Sequence, residues 1–177
     1  MDQLHQIQAD VRRRVQAIEA AHESWPCRKG CDDCCRHLAS APRLTEAEWG
    51  PIARAIDALP AETAELVRER IRDSVRLTRP VVCPLLDCDS GTCLVYEARP
   101  VACRAYGFYA ERADVLGCSR IEARARESTD IVWGNHAALE DRRQQLGPDA
   151  ELWVWLVAFE ELKRTAPERA DAPTGFG

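Results

Sequence analysis

Apolar residues recur near the start of the chain at three- and four-residue steps: Leu4, Ile7, Val11, Val15, Ile18 and His22. That period predicts one amphipathic helix, ended by Trp25-Pro26. Thr45 followed by Glu48 has the form of a capping box and opens a second helical region, with a break expected at Gly50-Pro51. Ile52, Ile56 and Leu59 carry its apolar stripe to Pro60. Leu66, Val67, Ile71 and Val75 then predict a helix within Ala61 to Thr78. Beyond Pro80 the helical period is lost. Val81 to Arg99 is β-branched and turn-rich, with Asp89-Ser90-Gly91 between two short apolar runs, and predicts a hairpin. Pro100 opens a short helix carrying Cys103 and Tyr106, and Gly117-Cys118 marks a turn. A long helix is expected from about Thr129 to Leu146, stopped by Gly147-Pro148. A last one runs from about Asp149 to Thr165, with Leu152, Trp155, Leu156, Phe159 and Leu162 on one face. The pattern predicts a mainly α, single-domain fold over residues 1–166. It has about five helices around a small irregular cysteine-rich region with one short β-hairpin. Residues 167–177 read as a disordered tail.

Composition adds exclusions. A chain of 177 residues can bury a core without disulfide staples. Its net charge of −5, with arginines interleaved among Glu and Asp, gives no electrostatic reason to expect a nucleic-acid or anionic-membrane partner. No stretch approaches the roughly 20 apolar residues of a membrane helix. The most apolar run, Leu152 to Phe159, is short and flanked by Glu151 and Glu160. Met1-Asp2-Gln3-Leu4-His5 lacks the basic leader and apolar segment of a secretory signal, so the cytoplasm is the expected compartment. There is no recognisable nucleophile–base pair, no helix with spaced His and Glu, and no phosphate loop. The sequence leaves enzymatic status and any protein partner open.

Nine cysteines change the picture. Their odd number and the absence of an export signal favour ligands or redox centres over bridges. The first cluster is Cys27-x3-Cys31-x2-Cys34-Cys35; the second is the looser set Cys83, Cys88, Cys93, Cys103 and Cys118. Thiolates are soft ligands suited to zinc, copper(I) and iron–sulfur centres. Zinc ligands come in pairs spaced by two to four residues, as Cys27/Cys31 and Cys31/Cys34 are. The side chains of adjacent Cys34 and Cys35 are expected to diverge, which suits two metals, a bridged cluster or one free thiol. Ligands drawn from both clusters would clamp the helical segment between them. Arg28, Lys29, Arg36 and Arg104 either offset thiolate charge or belong to the solvated surface. His37 reads as a surface residue, Asn135-His136 as a packed part of a helix, and Asp87 and Asp89 as turn residues. Trp153, Trp155 and Phe159 read as core.

The first cluster is followed by Cys83-Pro84-Leu85-Leu86, by Cys93-Leu94-Val95-Tyr96-Glu97-Ala98-Arg99-Pro100, and by Cys103-Arg104-Ala105-Tyr106. This ordered set resembles the YkgJ-type cysteine-cluster family, the zinc- or iron-chelating CxxxCxxCC proteins, over about Cys27 to Cys118. The resemblance implies metal ligation by Cys27, Cys31, Cys34, Cys35, Cys83, Cys93 and Cys103, with Cys118 as an eighth and Cys88 as a bystander. The metal it implies is zinc or iron, an iron–sulfur cluster included. The function it implies is metal chelation, with a redox or iron-handling protein and a metal-dependent enzyme as alternatives. A related cluster occurs in flagellin lysine methylases. Their activity is not carried over, because the chain is expected to lack their additional regions and has no glycine-rich nucleotide loop.

Overall fold

The computed structural model describes residues 2–112 and 114–165; the tail expected from residue 167 lies outside them. The N-terminal period folds as α1 (Gln3–Ala21), with the Asp2 carboxylate accepting from the Leu4 N–H at its start. Leu4, Ile7, Val11 and Ile18 are buried along one side. The short α2 (Asp33–Arg36) carries Cys34 and Cys35, and β1 (Arg43–Thr45) leads into α3 (Glu46–Asp57). The capping box is present: the Glu48 carboxylate reaches back to accept from the Thr45 N–H at 2.9 Å. The break expected at Gly50-Pro51 does not occur, and α3 continues through Pro51. Ile52, Ala53 and Ile56 are buried just beyond it, which offsets the one lost N–H donor.

α4 (Ala61–Asp73) ends earlier than its apolar stripe, passing into a 3₁₀ turn at Ser74–Arg76; Leu66 and Val75 are exposed. The predicted hairpin is β2 (Leu86–Asp87) against β3 (Thr92–Cys93), antiparallel, with Leu86 opposite Cys93. Pro100 precedes α5 (Val101–Ala105), the short helix that carries Cys103.

The second half departs from the periodic reading. β4 (Tyr109–Glu111) pairs antiparallel with β5 (Asp114–Val115), and α6 (Ser119–Glu127) follows. In place of one helix over 129–146 there are irregular chain, β6 (Gly134–Asn135) and the shorter α7 (His136–Gln144). β6 runs parallel to β4, where Gly134 lies so close to the Tyr109 ring that a Cβ would sit 2.4 Å from its carbons. That contact fixes the local chain as strand, and the Asn135 side chain then caps α7 by accepting from the Ala138 N–H. Asp149 to Glu151, expected as helix, form β7 (Asp149–Glu151), antiparallel to β1; α8 (Leu152–Thr165) starts only after it. Tertiary pairing thus overrides local propensity at two places, β6 and β7, and among the described residues the mainly α architecture carries two small sheets besides the hairpin.

Apolar side chains gather in two groups. One joins α3, α4, α8 and the hairpin through Leu44, Trp49, Ile52, Ile56, Val67, Ile71, Leu86 and Leu152. Trp153, Trp155 and Phe159 pack against it, whereas Leu162 is exposed. The other joins α1, Trp25, α5, β4, α6 and α7 through Ile7, Val11, Val101, Phe108, Ile121 and Leu139. Cys35, Cys83 and Cys93 pack in the first group, Cys27 and Cys118 in the second. These five cysteines are thus divided between the two groups.

Candidate metal centre

Local backbone pairing explains how distant cysteines meet. Leu38 and Val81 form an antiparallel bridge, and the Cys83 N–H donates to the Cys35 carbonyl at 2.7 Å, so the segment before the hairpin runs beside the end of α2. The hairpin register then turns Cys93 back toward the same region, with the Leu94 N–H donating to the Leu85 carbonyl. α5 supplies Cys103. On the opposite side, the Trp25 Nε1–H donates to the Gly107 carbonyl, and the Cys27 thiol donates to the Tyr106 carbonyl at 3.4 Å. Gly107 has φ +86°, and a Cβ there would stand 2.9 Å from the Cys27 Cβ and 3.1 Å from its sulfur. Only glycine allows this approach at that backbone conformation.

Cys27, Cys31, Cys34, Cys35, Cys83, Cys93 and Cys103 line one cavity of about 70 Å³, together with Arg99 and Tyr106. The sulfurs of Cys34 and Cys35 are 4.0 Å apart, so this adjacent pair does not diverge as expected. The short helix α2 holds both side chains toward the cavity. Cys118 stands at the start of α6, packed with Cys27 in the second apolar group and outside the cavity lining. Cys88 is exposed in the hairpin loop, and its carbonyl accepts from Arg36. All nine cysteines are unpaired. Among the described residues, no three His, Cys, Asp or Glu side chains already share one coordination centre.

The thiols crowd each other in a poorly solvated place. Burial pushes Cys27 and Cys103 up to about 12, with neighbouring thiols adding to it. The contact with Cys35, then burial, raises Cys34 further. The Arg99 guanidinium opposes these shifts at Cys27, Cys34, Cys93 and Cys103, and it stacks 3.5 Å over the Tyr96 ring. Arg120 brings Nη1 to 4.0 Å from the Cys31 sulfur. Neither arginine was singled out by sequence; Arg99 sits in the run before Pro100, and Arg120 on a helix too polar to reveal its period.

Of the cations that were singled out, Arg28 lines the cavity and the other three have partners elsewhere. Arg36 donates to Asp32 and to the Cys88 carbonyl, Arg104 donates to the carbonyls of Arg99 and Glu97, and Lys29 lies 3.9 Å from Glu97. His37 is exposed, 2.9 Å from the Asp33 carbonyl and away from the cavity. No described helix is long and apolar enough to cross a membrane.

A family model described as "CxxCxxCC: Putative zinc- or iron-chelating domain" matches residues 26–133. No curated protein and no solved structure matches the chain significantly. The match spans the cavity cysteines and Cys118 alike, more than half of the chain, and the chain belongs to this family of zinc- or iron-chelating domains.

Proposed function

We propose that the seven cavity cysteines are the working ligands of a metal centre that holds zinc or iron, with Cys118 as a further ligand reached from beside Cys27. The observation that carries this reading is the convergence of thiols from the α2 region, the chain before the hairpin, the hairpin and α5 on one cavity. Such a set suits soft-ligand metals. Without a cation the set holds its protons, since burial keeps Cys27 and Cys103 near 12; a bound metal displaces them. The 4.0 Å between the Cys34 and Cys35 sulfurs is close to the separation of about 3.8 Å that two thiolates have on one tetrahedral ion with 2.3 Å bonds.

Seven thiols exceed the four that a single tetrahedral ion takes. An iron–sulfur cluster takes four as well, so the surplus favours two metal centres over one; iron in either of them would bring a redox or iron-handling role. Nine unpaired cysteines also fit a reducing compartment such as the cytoplasm.

The test is metal analysis with an absorption spectrum on untagged protein purified without oxygen. Zinc or iron is expected at one or more per chain, lost in Cys34→Ser. Iron with sulfide and brown colour selects the cluster, and zinc with no visible band selects the ion. Wild-type protein with no more metal than Cys34→Ser refutes chelation at this cavity.

A further inference from the structure

A second cleft, of about 170 Å³, opens on the other face of Cys27 and Cys103, between α1 and α5. Its lining is strongly basic. Arg12, Arg28, Arg99 and Arg104 all contribute to it, with Gln8 as a neutral polar group and Glu19 as the lone carboxylate. None of the four guanidiniums has a carboxylate oxygen within 4.0 Å among the described residues, although Arg13 and Arg142, facing the other side of α1, pair with Asp10. Arg99 and Arg104 are held in place without being neutralised. The former donates Nε to the Tyr96 carbonyl and stacks on that ring; the latter donates to the carbonyls of Arg99 and Glu97. Such bonds fix direction and leave the charge free.

Like charges so placed repel one another across a partly apolar space, where Val11 and Phe108 form buried parts of the wall. The arrangement costs stability unless an anion occupies it. The volume suits on the order of ten waters, enough for a phosphate with a small organic group. Guanidinium forks match phosphate oxygens bidentately, and several of them suit a dianion better than a single carboxylate.

We propose that this arginine-lined cleft binds a small phosphorylated molecule, one side-chain layer from the cavity thiols. The cleft shares Cys27, Arg28, Tyr96, Arg99 and Cys103 with that cavity, so an occupant bears directly on its wall. The proposal does not depend on which metal the cavity holds.

The test is titration calorimetry of the full chain, with its metal, in low-salt chloride buffer. Orthophosphate and phenyl phosphate are the probes. Saturable binding is expected for both, tighter for phenyl phosphate because of the apolar wall. Arg12→Glu, at an exposed position on α1, is expected to weaken both about tenfold or more while metal content stays unchanged. Glu19→Gln, also exposed, is expected to tighten them a few-fold. Absence of saturable binding in wild-type protein overturns the proposal, and so does equal affinity in Arg12→Glu. Loss of metal from Arg12→Glu together with phosphate overturns it too, because the arginines would then serve only to balance the thiolates.

Discussion

Glu48 is a buried carboxylate that ties the two apolar groups together, and its removal has a calculable cost. Its Oε2 accepts from the N–H and hydroxyl of Thr45, at 2.9 and 3.1 Å, and its Oε1 accepts from the Val101 N–H at 2.8 Å. Arg143 Nη1 lies 3.5 Å from Oε2 without hydrogen-bond alignment. Glu48→Ala orphans two buried backbone donors, each worth about 1–3 kcal/mol when left unsatisfied. Arg143 keeps Glu140 and Asp149, at 2.6 and 2.8 Å, so its charge stays compensated and adds little to the loss. The expected destabilisation is about 2–6 kcal/mol, a large part of the roughly 5–15 kcal/mol available to a small domain. Urea unfolding followed by tryptophan fluorescence measures it, with the slope m unchanged. Glu48→Gln keeps one carbonyl oxygen, so about half the loss is expected. Because Val101 begins the helix that carries Cys103, Glu48→Ala is also expected to lower metal content. A destabilisation below about 1 kcal/mol refutes the claim that this carboxylate joins the halves.

Gly107→Ala forces a side chain into the space of Cys27 at φ +86°, and should cost about 2 kcal/mol or more in thermal unfolding and reduce bound metal. Unchanged metal content would show that Cys27 does not need this approach. Cys34→Ser is expected to lose metal and stability together, whereas Cys88→Ser, in the exposed loop, should change neither; metal loss from Cys88→Ser would redraw the ligand set. In metal-stripped protein the raised Cys27 and Cys103 thiols favour the folded state below the ordinary thiol pKa of 9.0, and that contribution is lost as pH rises toward 12. The urea midpoint should therefore fall between pH 9 and 11, and a flat midpoint contradicts it. Metal-loaded protein should behave oppositely, releasing its ion as acid reprotonates the thiolates, measured by chelator-reported release from pH 7 downward.

How much of this was legible in sequence depended on whether a segment answers to its own period or to a partner. α1 and α3 bury their own stripes and α4 buries Val67 and Ile71 of its own, so Leu4, Ile7, Ile52 and Ile71 announced them. The Thr45–Glu48 box and the hairpin at Asp89-Ser90-Gly91 are local devices and were equally readable. α6 buries only Ile121 among charged neighbours, too little periodicity to see. β6 and β7 exist because of Tyr109 and Arg43–Thr45, residues far away in the chain. The cysteines were visible as a set because thiols at short spacing are rare. Their meeting depends on the Leu38–Val81 bridge, which no local pattern encodes. For the same reason Arg99 and Arg120 went unnoticed: a cation beside sulfur is defined by where the chain returns.

The position of the cysteines has a consequence for what a metal does here. Each apolar group is built from its own buried residues, and neither needs a thiol at its centre except Cys83. Protein-only ties across the seam include the Glu48–Val101 bond and the Arg143–Asp149 ion pair between α7 and β7. An ion bonded to Cys35 or Cys93 on one side and Cys27 on the other would join the two apolar groups. Its free energy would then stabilise their docking more than their interiors. That distinguishes this chain from a small zinc module, whose core is the metal itself. Widely separated thiols would suit such a clamp, because a long closed loop gains more from one than a short loop does.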